Sequence, residues 1–283
     1  MGLDVISSRA NARVKQLRAA FQGHARLSGG MVAIEGDHLL EEALRSGMVL
    51  KTVFVSERRD VPKMVPRGVE VLRLTEEVFG SVVETQSPQG VAALMVPPVR
   101  VLGDVVGSGG ELLILIAVGL QDPGNLGTLV RSAEAFGAAG VLTTPGTVSA
   151  WNQKALRASV GSVFRLPVVG VNASEIEGLK SWGVIEGLKS WGVRLIAAVG
   201  AEGVSVVEAQ EMDFRGPCAL MIGNEGSGLG QEWLEMCDAQ VTIPCPGPVE
   251  SLNAAVAGSL LLYEASRQRE RIDSGGERYG RFG

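Results

Sequence analysis

Residues 112–141 read LLILIAVGLQDPGNLGTLVRSAEAFGAAGV. The opening run, Leu112 to Val118, is aliphatic without alternation. That is the pattern of a strand covered on both faces, as in a parallel sheet. Asp122-Pro123-Gly124-Asn125 is turn chemistry. Leu126 to Phe136 then has helical spacing, and Asn125 stands at the helix entrance, where its side chain can cap. Val141 to Thr144 reads as the next strand. A strand, a turn, a helix and a strand make a βαβ unit. The turn from strand end to helix start is where such units place ligands. Arg131 follows on the same helix.

The pattern continues in both directions. Downstream, Val163–Val171, Arg194–Val199, Cys218–Ile222 and Ala239–Ile243 read as strands. Asn152–Val160 reads as a helix, and Ser251–Arg269 as a long one. Upstream, Val14, Leu17 and Phe21 form an apolar stripe on a first helix. Met31–Glu35, Leu50–Val55, Val69–Leu74 and Gly90–Val96 read as strands, with helices starting at Asp37 and after Thr75. Pro97-Pro98 and the glycine-rich stretch Gly103–Gly110 read as a linker. The fold class expected is α/β, a mostly parallel sheet with helices on both faces, preceded by a smaller α/β domain. The boundaries are 1–97, a linker 98–110, 111–270 and a flexible tail 271–283.

Composition agrees with two domains. At ~150 residues per domain, 283 residues allow about two. With 46% apolar and 20% charged residues, a disordered or fibrous chain is excluded. The longest nearly uncharged apolar run, Leu112 to Leu120, is too short to span a bilayer. Met1 to Lys15 holds no signal-peptide core. Three scattered cysteines point to a reducing cytoplasm. Two histidines, His24 and His38, give no zinc spacing, so no metal is expected.

The net charge is −5, but it is unevenly spread. Residues 1–100 carry 13 basic and 11 acidic side chains, and residues 101–263 carry 8 and 16. Arg9, Arg13, Lys15, Arg18 and Arg26 cluster near the start against Asp4 alone. Such asymmetry hints at a polyanion partner, although a solvated helix accounts for the same charges.

One segment repeats without change: IEGLKSWGV at 176–184 and again at 185–193. In one helix, nine residues at ~100° each would point the second copy's apolar face the opposite way. The duplication reads as a tolerated surface insertion. Trp182 and Trp191 would sit awkwardly if both copies were exposed.

Two further segments carry polar chemistry. LMIGNEGSGLG (220–230) runs from a strand into a glycine-rich loop with one carboxylate, Glu225. It fits neither a P-loop nor the dinucleotide fingerprint, which argues against a dehydrogenase. VTIPCPGPVESLNAAVA (241–257) leaves a strand through three prolines and enters a helix at Ser251-Leu252-Asn253. Ser251 is a good N-cap, and Asn253 adds polarity that capping does not need.

DPGNLGTLVRSAEAFGA, LMIGNEGSGLG and IPCPGPVESLNAAVA together resemble, in order, the three motifs of the SpoU (TrmH-type) RNA ribose 2′-O-methyltransferases. MVAIEGDHLLEEALRSG followed by KTVFVSE resembles the ribosomal-protein-L30e-like substrate-binding domain of many rRNA members. Cys245 departs from the common methionine, and the repeat has no family counterpart. The resemblance implies a SPOUT fold with a C-terminal trefoil knot, a homodimer and S-adenosylmethionine as cofactor. Gly223, Ile243 and Leu252 would be its most direct contacts, with the Ala198–Gly203 loop, including Gly200, nearby. Ile222, Asn224, Gly226, Pro244 and Ala257 complete that set. Asn125, Arg131, Glu225, Ser251 and Asn253 would be the catalytic constellation, without a metal. Arg9, Arg13, Lys15 and Arg18 would grip RNA, 23S rRNA above tRNA as the target. An RNA-binding factor without catalysis is the rival from another class.

Overall fold

The computed structural model describes residues 5–24, 28–85, 87–107, 112–171, 181–200, 206–249 and 251–273. The chain forms two compact units: Met1–Val99 with Trp151–Arg165, and Arg100–Ala150 with Leu166–Gly283. Among the described residues no helix is long and apolar enough to cross a membrane.

The first unit holds a five-stranded sheet of β1 (Val5–Ile6), β2 (Val32–Glu35), β3 (Val49–Ser56), β4 (Glu70–Leu74) and β5 (Val91–Val96). Its order is β1-β4-β3-β5-β2, and β5 is antiparallel to both its neighbours. Helix α1 (Ala12–Phe21) buries Val14, Leu17 and Phe21, the stripe expected from spacing, against Phe54, Leu74, Phe79 and Leu94. Asn11 caps α1. Helices α2 (Asp37–Arg45) and α3 (Glu76–Gly80) also pack on the sheet, and Thr75 caps α3 as expected.

Helix α4 (Leu102–Val106) lies inside the stretch read as linker, and its Val105 is fully buried in the core of the second unit. Helices α5 (Pro123–Ala135) and α6 (Gln153–Ser159) follow, then α7 (Ser162–Arg165). Residues 151–165 pack with the first unit. Gln153 is buried and its Nε2 donates to the Ala33 carbonyl of β2 at 2.8 Å. Arg165 pairs with Glu42 at 2.6 Å, and Trp151 stacks on Phe164. The strand expected at Val163–Val171 is therefore shorter. Residues 162–165 are helical, Pro167 interrupts, and only β8 (Val168–Gly170) is a strand.

The second unit is built on seven parallel strands. They are β6 (Leu113–Ala117), β7 (Gly140–Thr143), β8, β9 (Arg194–Ala198), β10 (Val206–Glu208), β11 (Cys218–Ile222) and β12 (Ala239–Thr242). Their order is β10-β12-β9-β11-β6-β7-β8. The two central strands, β6 and β11, are buried at every position, as the unbroken aliphatic runs require. Helices α8 (Ser181–Ser190) and α9 (Gln231–Met236) pack on β9. The last helix, α10 (Ala254–Asp273), packs along α5.

In the repeat, Val184, Leu188 and Val193 are buried in this core, while Trp191 is exposed. Most of the first copy, 176–180, lies outside the described residues, as does the tail from 274.

Candidate active site

Strands β6 and β11 are neighbours, with Ala117 paired to Ile222. The chain runs from β6 to β7 on one side and reaches β9 on the other. This is the switch point of an open parallel sheet, where the loops beyond the strand ends form a crevice. The loop after β6 leads into α5, and the loop after β11 spans 223–230.

The two loops are tied together by Asn224. Its Nδ2 donates to the Gly119 carbonyl at 2.8 Å. Its Oδ1 accepts from the Gly226 and Ser227 amides at 2.8 and 3.2 Å. The backbones of Asn224 and Gly228 also exchange two hydrogen bonds. A side chain at Gly223 would run into the Gly228 backbone, so the turn admits only glycine there. Gly119, at φ 62, donates its N–H to Thr144 Oγ1 at 3.2 Å.

Glu225 then reaches across to the first loop. It accepts from the Gln121 and Asp122 amides at 3.2 and 3.1 Å, and from Asn125 Nδ2 at 2.8 Å. Burial works to raise its carboxyl. Hydrogen bonds from Asn125 and from backbone amides outweigh it and hold the group below the usual carboxylate range.

Asn125 is not a cap. The cap of α5 is Asp122, whose Oδ1 accepts from the Asn125 amide at 3.0 Å, with Pro123 at the first helical position. The Asn125 side chain is thereby free to bond outward. Its Oδ1 accepts from Asn253 Nδ2 at 3.1 Å. Asn253 in turn caps α10, accepting from the Ala255 and Val256 amides at 2.9 and 3.3 Å. Ser251, read as that cap, lies exposed outside the helix.

Asn125, Glu225 and Asn253 are thus brought together by direct bonds. Arg131 is exposed on α5 and Ser251 is exposed before α10, and neither bonds to this chain of amides. The N-termini of α5 and α10 meet at the Asn125–Asn253 bond. Two helix N-termini favour an anionic group such as an RNA phosphate.

Beside this set, β12, β9 and β11 lie adjacent in the sheet. Half-buried Ala198 ends β9, buried Ile222 ends β11 and half-buried Ile243 follows β12; Leu252, also half-buried, precedes α10. Gly200, Gly226 and Pro244 are exposed, and Ala257 is half-buried on α10. Apolar residues beside loop backbone at these strand ends suit the adenine of S-adenosylmethionine. Residues 201–203 of the expected loop lie outside the described residues.

In the first unit, Arg9 pairs with Glu77 and Arg13 with Glu70, each at 3.0 Å. Arg18 reaches Ser81 at 3.5 Å, and Lys15 is exposed.

Residues 112–263 match the SpoU rRNA Methylase family, and residues 11–93 match the MRM3-like substrate binding domain. The chain belongs to the SpoU rRNA methylase family. Similar proteins include the 23S rRNA (guanosine(2553)-2′-O)-methyltransferase of Bacillus subtilis (strain 168). That protein is 36% identical over 91% of this chain and 97% of its own length. The 23S rRNA (uridine(2479)-2′-O)-methyltransferase of Streptomyces viridochromogenes is 30% identical over 93% of this chain and 92% of its own. Among solved structures, the SpoU methyltransferase AviRb of S. viridochromogenes, in complex with AdoMet, superposes with a TM-score of 0.77. It is 29% identical and covers 92% of this chain and 98% of that one. The SpoU reading of the three motifs, and the α/β fold it implied, therefore hold. Asp122 and Thr144 were not picked out from sequence. Asp122 was legible, because Asp-Pro is a cap followed by proline at the first helical position.

Proposed function

We propose that this chain methylates a ribose 2′-hydroxyl of 23S rRNA, using S-adenosylmethionine and acting as a homodimer. The observation that carries the reading is the continuous bond chain Asn253–Asn125–Glu225 at the switch point. It unites the three motifs in one polar wall beside these apolar residues. The names of the relatives from B. subtilis and S. viridochromogenes support 23S rRNA as the substrate.

S-adenosylmethionine supplies an electrophilic methyl on a sulfonium. Ile243, Leu252, Ala198 and the 223–226 backbone would hold it. The chain's own work is to place the 2′-oxygen in line and to favour loss of its proton. Arg131 is permanently charged, so it stabilises the developing alkoxide or an adjacent phosphate rather than accepting the proton. Ser251 and Asn125 orient the ribose. Arg9, Arg13, Lys15 and Arg18 bind RNA phosphates, with Arg9 and Arg13 exchanging their carboxylate partners for phosphate.

The dimer would form on α10. Val256, Leu260 and Tyr263 are exposed at 47%, 45% and 52%, spaced as one helical stripe. The threading of a knot is part of the same proposal. Its support is that β12, the last strand, lies between β10 and β9 rather than at an edge.

The test is methyl transfer from labelled S-adenosylmethionine to 23S rRNA and to tRNA. The modified ribose is then mapped by primer-extension stops at low dNTP. Label in tRNA alone would overturn the rRNA assignment.

A further inference from the structure

A pocket of about 170 Å³ opens in the first unit, where α2, Thr85, Gln89 and α6 converge. A cavity of about 150 Å³ accepts a benzene ring, so this one accepts a single heteroaromatic ring system in part or whole. Its floor is apolar, made by Leu39 and Val160. Val160 sits at φ 51, a left-handed conformation that β-branched residues rarely take. Strain of that kind at a pocket wall is a pointer to function.

The rim is polar. Glu35 accepts from Thr85 Oγ1 at 2.7 and 2.9 Å and from the Gln89 amide at 3.3 Å. Among the described residues one hydroxyl proton and one amide proton reach it, which does not fill a carboxylate offering about four acceptor positions. His38 and Arg157 also line the pocket, and both are exposed. Among the described residues neither side chain has a hydrogen-bond or ion-pair partner. The wall beneath is fixed by buried Gln153, which is held on the Ala33 carbonyl.

We infer that this pocket holds an unpaired guanine of the RNA substrate, in addition to the nucleotide methylated in the second unit. The inference rests on the reading of the chain as an RNA enzyme. Guanine carries two adjacent donors, N1–H and N2–H2, which suit the remaining acceptor sites of Glu35. It also carries the O6 and N7 acceptors, which suit Arg157 and His38. Adenine, cytosine and uracil each lack two adjacent donors. Reading single-stranded bases on their Watson–Crick edge is how proteins recognise RNA sequence.

The test uses the full chain without cofactor and four oligouridylate 12-mers carrying one central guanosine, inosine, adenosine or cytidine. Binding is read by fluorescence anisotropy. Guanosine should bind about ten-fold tighter than inosine, which lacks the N2 amine. Glu35→Gln should erase that difference. Arg157→Ala, at an exposed position, should lower the guanosine preference with the thermal transition unchanged. Equal affinity for all four oligomers, or a preference that survives Glu35→Gln in a folded protein, overturns the assignment. Methyl transfer to 23S rRNA is measured in parallel. Its failure with an intact guanosine preference would count against the enzymatic reading and spare the pocket.

Discussion

Asn253 Nδ2 donates to Asn125 Oδ1 at 3.1 Å, joining residues 128 positions apart. Nearly the same offset continues down two helices. Ser132 and Ser259, 127 apart, share a hydrogen bond of 2.7 Å, and Phe136 meets Tyr263 edge-on. A near-constant offset means that α5 and α10 run parallel, with both N-termini at the site. Gly258 permits this, because any side chain there would strike Leu129. The bond also fixes which way the Asn125 amide points. Its oxygen faces Asn253 and its nitrogen faces Glu225.

Asn125→Asp places a second carboxylate against Glu225 and should cut methyl transfer at least ten-fold. Glu225→Gln, which weakens the acceptor for three N–H groups, should do likewise. The double variant restores a donor facing an acceptor and relocates the charge by one side chain. It should recover activity beyond the product of the single effects, a coupling of about 1–3 kcal/mol. Initial rates for the four proteins decide it, and strict additivity would sink the proposed unit.

Arg131→Ala should abolish methyl transfer and leave S-adenosylmethionine affinity nearly intact. Arg131 is exposed, so stability should move by no more than about 0.5 kcal/mol. Lysine should restore little, because it lacks the planar fork. Calorimetry for the cofactor and single-turnover rates separate binding from chemistry. Near-wild-type turnover in the alanine variant would remove Arg131 from the mechanism.

What was legible in the sequence follows from contrast. Leu113–Ala117 stood out because nothing polar interrupts it, and it is buried at every position. The three polar segments were legible as loops because proline and glycine punctuate them. Which asparagine or aspartate caps which helix was not legible by type. Asp122 and Asn125 both suit a cap, and only the chain path decides between them. Ser251 and Asn253 posed the same ambiguity. Two-residue β1 and three-residue β10 are too short to show periodicity. The packing of 151–165 with the first unit depends on contacts such as Gln153 to Ala33, which no local pattern announces.

The pH dependence of the site follows from Glu225. Its carboxyl lies below the ordinary 4.5 when folded, so the bonds it accepts contribute stability that is fully present above that value. That contribution is lost as the pH falls through the lowered folded value. The Asn125 side-chain amide resonances should therefore hold their positions on acidification and shift only with a midpoint below 4.5. A midpoint at or above 4.5 would mean that burial, not hydrogen bonding, governs the group.

Deleting one copy of the nine-residue repeat yields the same protein whichever copy is removed. The remaining copy still supplies the residues equivalent to buried Leu188 and Val193. Val184 is replaced by Glu175 in the chain, losing one buried valine worth about 1.5–3 kcal/mol. The shortened protein should fold, methylate RNA and melt a few degrees lower. An insoluble product would show that both copies are structural.

One of the three cysteines, Cys245, reports on the segment proposed to hold the cofactor. Cys218 is buried and its thiol is pushed up by that burial. Burial and then Asp238 push Cys237 up to about 12. Both should resist alkylation at pH 8, since the thiolate is the reacting form. Cys245 is only partly buried, two residues beyond Ile243, and should label first. If Ile243 and Leu252 hold S-adenosylmethionine, saturating cofactor should slow that labelling several-fold in native protein and not in denatured protein. Mass spectrometry of iodoacetamide adducts over time would check this. An unchanged Cys245 rate with cofactor bound would move the cofactor away from the 243–252 segment.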